Sequence, residues 1–155
     1  MAEAFQTPAF RQAGPGDLDT LFSMVRALYV LDGHETVSEE TSRRALAEVL
    51  AGGPYAKAWL IEVNKQPIGY FLLTFGFSLE AGGKDAILDE LYLEEEWRGL
   101  GCGKAALIQA EEMARAEGCV ALSLFVEHHN ETARAIYEAK GFIRRTWDHM
   151  EKKLD

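Results

Sequence analysis

Arg98-Gly99-Leu100-Gly101-Cys102-Gly103-Lys104 is the stretch whose reading decides the fold. It lies between a run with strand character, Ala86 to Leu93, and one with helical spacing, Gly103 to Glu117, which Gly118 closes. Glycines at alternate positions let the backbone approach a ligand closely. The start of the following helix adds unpaired N–H groups and the positive end of its dipole. Together these make an anion site suited to phosphates. Two common phosphate loops do not fit it. In G-x-x-x-x-G-K-[ST], counted back from Gly103-Lys104, Arg98 occupies the first glycine position and Ala105 replaces the metal-binding hydroxyl. In G-x-G-x-x-G, counted from Gly99, Lys104 falls on the last glycine.

Upstream of this loop the chain changes period twice. Residues 1–9 read as a loose tail and 10–155 as a single domain, since no repeat, low-complexity tract or linker interrupts it. Phe10 to Ala13 is a short strand candidate, closed by Gly14-Pro15-Gly16. Asp17 then stands at an N-cap position before Leu18, Leu21, Phe22, Val25, Leu28 and Tyr29 at helical spacing, and Gly33 ends that pattern. Ser38 is a second N-cap, for a helix with an apolar stripe of Ala45, Leu46, Val49 and Leu50. Trp59, Ile61 and Val63 read as a strand, Asn64 to Pro67 as a turn, and Ile68 to Ser78 as a long aromatic strand in hairpin with it. Asp89 and Glu90 are unusual within a central strand and need an explanation. Downstream, Cys119 to Val126 is a strand and Glu131 to Lys140 a helix closed by Gly141. Phe142 to about Lys152 is a final strand or strand pair. Antiparallel hairpins followed by a strand–helix–strand unit imply an α/β fold with a mixed sheet and helices on its faces.

Composition narrows the function. The chain has 155 residues, 48% hydrophobic and 26% charged, which is an ordinary globular balance. Asp plus Glu is 25 against 16 for Lys plus Arg, a formal charge of −9. Such a chain has little affinity for nucleic-acid backbones, which are bound by clustered Lys and Arg, but attracts cationic small molecules. The longest mostly apolar run, Ile68 to Phe77, is half a membrane span. No secretory leader is evident at the N-terminus, and two cysteines, Cys102 and Cys119, are too few for a disulfide scaffold. A cytoplasmic location without membrane or nucleic-acid partners is expected. His128-His129 makes a poor metal pair, and no metal is expected.

Arg98-x-x-Gly101-x-Gly103 resembles the pyrophosphate-binding motif of the GNAT superfamily of N-acetyltransferases, Arg/Gln-x-x-Gly-x-Gly/Ala. A second block agrees with it: Asn130-x-x-Ala133-x-x-x-Tyr137-x-x-x-Gly141-Phe142 resembles the family's segment after the fifth strand. Asp89 to Leu93 resembles the family's fourth strand. The resemblance implies a central mixed sheet of roughly six to seven strands, splayed between the fourth and fifth, with about four helices around it. It implies acetyl-CoA as co-substrate, its pyrophosphate on the amides of Gly99, Leu100, Gly101, Cys102, Gly103 and Lys104 with Arg98 beside them. The backbone of Leu91, Tyr92 and Leu93 would bond the acetyl carbonyl and pantetheine amides, and Asn130 would cap its helix or bond the pantetheine.

The same resemblance makes Tyr137 the acid for the leaving thiolate. A proton sink for the amine is also needed. Glu90 and Asp89 are the candidates. Neighbours on a strand point to opposite faces, so one should face the acceptor, with Glu90 the first choice. Tyr29 and His34, with Asp32 and Glu35, could line the acceptor pocket, or form a polar loop between helices. Glu94-Glu95-Glu96 reads as a solvated loop. The activity implied is acetyl transfer to a primary amine of a small molecule by direct attack in a ternary complex. The alternatives are a protein acetyltransferase and a non-catalytic acyl-CoA-binding module. A homodimer is expected, since the long aromatic strand and the C-terminal strand offer edges for pairing.

Overall fold

In the computed structural model, residues 6–154 are described, and the chain divides into two compact units, 1–124 and 125–155. The first unit is built on a five-stranded sheet in the order β1 (Ala9–Gln12), β2 (Ala56–Val63), β3 (Gln66–Ser78), β4 (Gly83–Leu93), β5 (Ala121–Leu124). All neighbours are antiparallel except β4 and β5, which run parallel. The helices of this unit are α1 (Leu18–Asp32), α2 (Glu39–Leu50) and α3 (Cys102–Ala116). Of the tail expected at 1–9, residues 1–5 lie outside the described residues, and Ala9 already belongs to β1.

Local chemistry explains most boundaries. Ser38 caps α2 by accepting from the Thr41 amide at 3.2 Å, as its position predicts. Asp17 does stand at the N-cap of α1, but its carboxylate turns back. It accepts from the Gly14 amide at 2.8 Å and pairs with Arg11 at 3.0 Å, because Pro15–Asp17 forms a 3₁₀ turn of its own. The hairpin between β2 and β3 is tighter than expected. Asn64 and Lys65 both have positive φ (51° and 64°), the geometry of a two-residue type I′ turn, so Gln66 and Pro67 are already in the strand. Pro67 is tolerated there because it adjoins a bulge, where the register with β2 shifts between Ile61 and Glu62.

The sheet buries both faces. On one, Ala58, Leu60, Tyr70 and Tyr92 form a core with Leu21, Met24, Val25 and Leu28 of α1 and Leu50 of α2. On the other lie Phe71 and Leu73, both fully buried, with Trp59 stacked on Phe71 at 5.1 Å, while α3 packs on β3, β4 and β5. Gly69 permits β3 to close on the end of β4. A Cβ there would lie 2.2 Å from the Tyr92 carbonyl oxygen. Gly69→Ala should therefore destabilise the fold by about 2–3 kcal/mol, the upper part of the usual range for overpacking. The urea midpoint measures this, and an unchanged midpoint would mean that the strands part freely here.

The second unit contains α4 (Glu131–Ala139). The final strand expected from Phe142 to Lys152 is not formed: among the described residues the sheet has five strands rather than six or seven. A strand needs a ladder partner, and this unit holds no other. Ile143, Trp147 and Met150 stay exposed, each followed by a charged residue. The strand expected over Cys119 to Val126 is shortened to Ala121–Leu124.

Candidate active site

The phosphate-type loop follows β4 through a 3₁₀ turn at Glu95–Trp97. Gly99 and Gly101 have φ of 73° and 90°, a left-handed backbone that residues with a Cβ adopt only under strain. Gly101 is the N-cap of α3 and has no side chain to cap with, so no side chain claims the first-turn amides. The first turn of α3 carries no acidic residue, and Lys104 is exposed. The donors and the dipole end therefore stand ready for an anion. Arg98 donates from Nε to the Leu93 carbonyl at 2.9 Å, with its guanidinium 5.7 Å from the Tyr92 ring centre. It thereby pins the loop to the end of β4. Cys102 is 1% exposed and burial pushes its thiol up, which suits packing rather than nucleophilic attack. Glu95 and Glu96 are exposed as expected, whereas Glu94 accepts from the Tyr92 hydroxyl at 3.1 Å.

The same strand end has an open edge. The ladder between β4 and β5 covers Asp85–Leu88 against Ala121–Leu124 and stops there. From Asp89 to Leu93 no strand pairs with that side of β4 among the described residues, and there the Leu93 carbonyl accepts from Arg98 while the Tyr92 carbonyl faces β3. The register with β3 shifts at the same point: Leu72 faces Glu90 but Leu73 faces Leu88, leaving Asp89 as the extra residue of a β-bulge. This explains the acids in mid-strand, and it corrects the expectation of simple alternation. Leu88 is opposite Leu73, on the α3 face, while Glu90 and Tyr92 are opposite Leu72 and Tyr70, on the α1 face.

Glu90 thus belongs to the α1 side. It is half-buried and accepts from Tyr29 Oη at 2.6 Å and from Tyr70 Oη at 3.2 Å. Its carboxyl is pushed above the usual range, chiefly by desolvation and further by Asp89 and Asp32, while the two phenols oppose the rise. Asp89 is exposed, and desolvation alone pushes it up. Both phenols are pushed well up, first by burial and then by the Glu90 charge, so they remain donors. His34 is exposed beside Tyr29. Its amide bonds the Tyr29 carbonyl at 3.0 Å and the two rings lie 6.4 Å apart. Asp32 and Glu35 are exposed nearby in sequence.

Tyr29, Glu90, Asp89 and His34 therefore come together, and the loop 98–104 is joined to Leu93. Asn130 and Tyr137 belong to the second unit. Asn130 caps α4, accepting from the Ala133 amide at 3.1 Å. Tyr137 is half-buried, packs edge-on against Phe142 at 6.0 Å, and has its phenol pushed up by burial. Sequence reasoning missed Tyr70. The signal was present in its place one strand over from the acids, but only the cross-strand register reveals it. Among the described residues no group of His, Cys, Asp and Glu could hold a metal, and no helix is long and apolar enough to cross a membrane.

Comparison with known proteins agrees with this architecture. Residues 22–142 match the model of the acetyltransferase (GNAT) family. An uncharacterized N-acetyltransferase of Bacillus subtilis is 34% identical, over 73% of each chain. Thialysine N-epsilon-acetyltransferase of Bos taurus is 28% identical, over 84% of this chain and 81% of the relative. Among solved structures, an integron cassette protein from the mobile metagenome of Cole Harbour Salt Marsh superposes with a TM-score of 0.79 at 27% identity, covering 94% of this chain and 90% of that one. With the family model spanning well over half of its length, the chain belongs to the GNAT family of acetyltransferases.

Proposed function

We propose that this protein transfers the acetyl group of acetyl-CoA to a primary amine of a small molecule, by direct attack in a ternary complex. The observation that carries the reading is the end of β4. Its open edge runs into an uncapped helix N-terminus on one side, and a phenol-bound carboxylate stands on the other. The donor set fits the co-substrate, since amides 99–104 offset pyrophosphate charge without needing a basic protein. When bound, acetyl-CoA supplies an activated acyl carbon. Amides 99–104 and Arg98 hold the pyrophosphate, and the backbone of Leu91 to Leu93 bonds the amide arm. Glu90 accepts the proton that the amine must lose, Asp89 being the second candidate. Tyr137 holds the proton destined for the leaving thiolate, and Asn130 orders its helix. Tyr29 and His34 line the acceptor side. The relative named for thialysine supports a small amine as acceptor. The family match crosses both compact units, which supports one acetyltransferase domain over 10–155. Cys102 and Cys119 are free thiols, in keeping with a reducing cytoplasm.

The test is CoA release over a panel of polyamines, amino acids, lysine analogues and aminoglycosides, with lysine-bearing peptides alongside. Release with a free amine supports the reading. Release only with peptides would make this a protein acetyltransferase. Binding of acetyl-CoA without release on any amine would make it an acyl-CoA-binding module. We further propose a homodimer, supported by the exposed apolar side chains of Phe77 and Leu79 at the end of the long aromatic strand. Sedimentation should show a dimer at micromolar concentration, and a monomer throughout would overturn this.

A further inference from the structure

Glu90 is held from two sides. Tyr29 reaches its Oε2 from α1 and Tyr70 reaches its Oε1 from β3, at 2.6 and 3.2 Å. The two phenols differ in access: Tyr29 is half-buried, whereas Tyr70 is 1% exposed. A bound substrate can touch the first but not the second. A buried phenol requires an acceptor for its O–H, and Glu90 Oε1 is that acceptor.

We propose that Tyr70 is a positioning residue for acetyl transfer: its buried hydroxyl fixes the plane of the Glu90 carboxylate, leaving the lone pairs that neither phenol occupies to receive the amine proton. This rests on the reading of Glu90 as the base. A carboxylate offers about four acceptor sites, so two phenols leave room for an incoming N–H or a water. The groups facing Glu90 are Tyr29 and Asp32 from α1, Tyr70 from β3 and Asp89 from β4. The phenols favour the charged form; the two acids and burial oppose it. Loss of the Tyr70 hydroxyl tips this balance toward the protonated acid, which cannot accept a proton, and frees the carboxyl to rotate.

Tyr70→Phe keeps the ring, which lies 6.2 Å from that of Tyr92 in the core, so the fold should survive, as a thermal melt would verify. Two readouts are taken on the full chain. The Glu90 carboxyl is titrated by carbon-13 NMR, its signal assigned by its loss in Glu90→Gln. The pH profile of kcat/KM is measured with the best amine of the panel. In Tyr70→Phe the carboxyl midpoint should rise by on the order of one pH unit. The acid limb of kcat/KM should rise with it, and KM for the amine should change by less than about twofold. In Tyr29→Phe the midpoint should also rise, but KM should rise too, because that phenol faces the acceptor side. An unmoved midpoint in Tyr70→Phe overturns the inference. A midpoint that moves while the kinetic limb stays overturns the reading of Glu90 as base, and with it the part of Tyr70 in the transfer.

Discussion

Gly103→Asp should weaken acetyl-CoA binding by tenfold or more, about 1.4 kcal/mol, while leaving the fold in place. Gly103 lies in the first turn of α3 with an ordinary φ, and a Cβ there would meet Leu93 Cδ1 at 3.7 Å, normal van der Waals contact. A carboxylate in a first turn is favourable to the helix itself, by about 0.3–1 kcal/mol. The same charge would stand among the amides offered to the pyrophosphate, and there it repels. Gly99 and Gly101 are poorer sites for this experiment, since their left-handed backbone would strain under any side chain and mix folding with binding. Gly103→Ala separates bulk from charge and should lose no more than a fewfold. Calorimetric titration with CoA, beside a denaturation curve, gives both answers. Unchanged affinity for Gly103→Asp in a folded protein would remove the loop from the site.

Glu90→Gln and Tyr137→Phe should lower turnover by a factor of about 10²–10⁴ each, the usual worth of a general base or acid. Their pH signatures differ. Glutamine still accepts a hydrogen bond but takes no proton, so the Glu90→Gln deficit should be greatest between the Glu90 midpoint and the pKa of the amine, shrinking below that midpoint, where the wild-type carboxyl is itself protonated, and at high pH, where free amine is abundant. Tyr137→Phe loses one hydroxyl and keeps the packing on Phe142, so acetyl-CoA affinity should hold while turnover falls. Asp89 supplies a sign test. Its charge pushes the Glu90 carboxyl up, so Asp89→Asn should let Glu90 ionise at lower pH and move the acid limb down, opposite to Tyr70→Phe. A crippled Asp89→Asn would make Asp89 the base instead. If no variant loses more than about threefold, well under 1 kcal/mol, rate enhancement comes from positioning two bound substrates.

Much of this was legible in the chain because it depends on local chemistry. Ser38 before an apolar stripe, glycines after helices and the loop at 98–104 are each decided by the residues next to them. What escaped depends on partners distant in sequence. Asp17 stands where a cap belongs, but Arg11 and Gly14 compete for its carboxylate. Phe142 to Lys152 has strand-like composition, yet composition does not supply a ladder partner. Glu90 and Asp89 could not be told apart because their facing is set by register with β3, and Tyr70 was invisible as a site residue for the same reason.

The extra residue in β4 also bears on what lengths this strand tolerates. Leu73 faces Leu88 and Leu72 faces Glu90, so excising Asp89 alone would leave a regular ladder with every remaining pair unchanged. Excising Leu88 instead would set a carboxylate opposite Leu73, a side chain that is fully buried. The two halves of the strand also carry independent frames. An even-numbered position before Asp89 answers to α3, and an even-numbered one after it answers to α1. When a related chain that lacks this residue is aligned here, a gap one place out of position would assign the charge to the wrong side of the sheet.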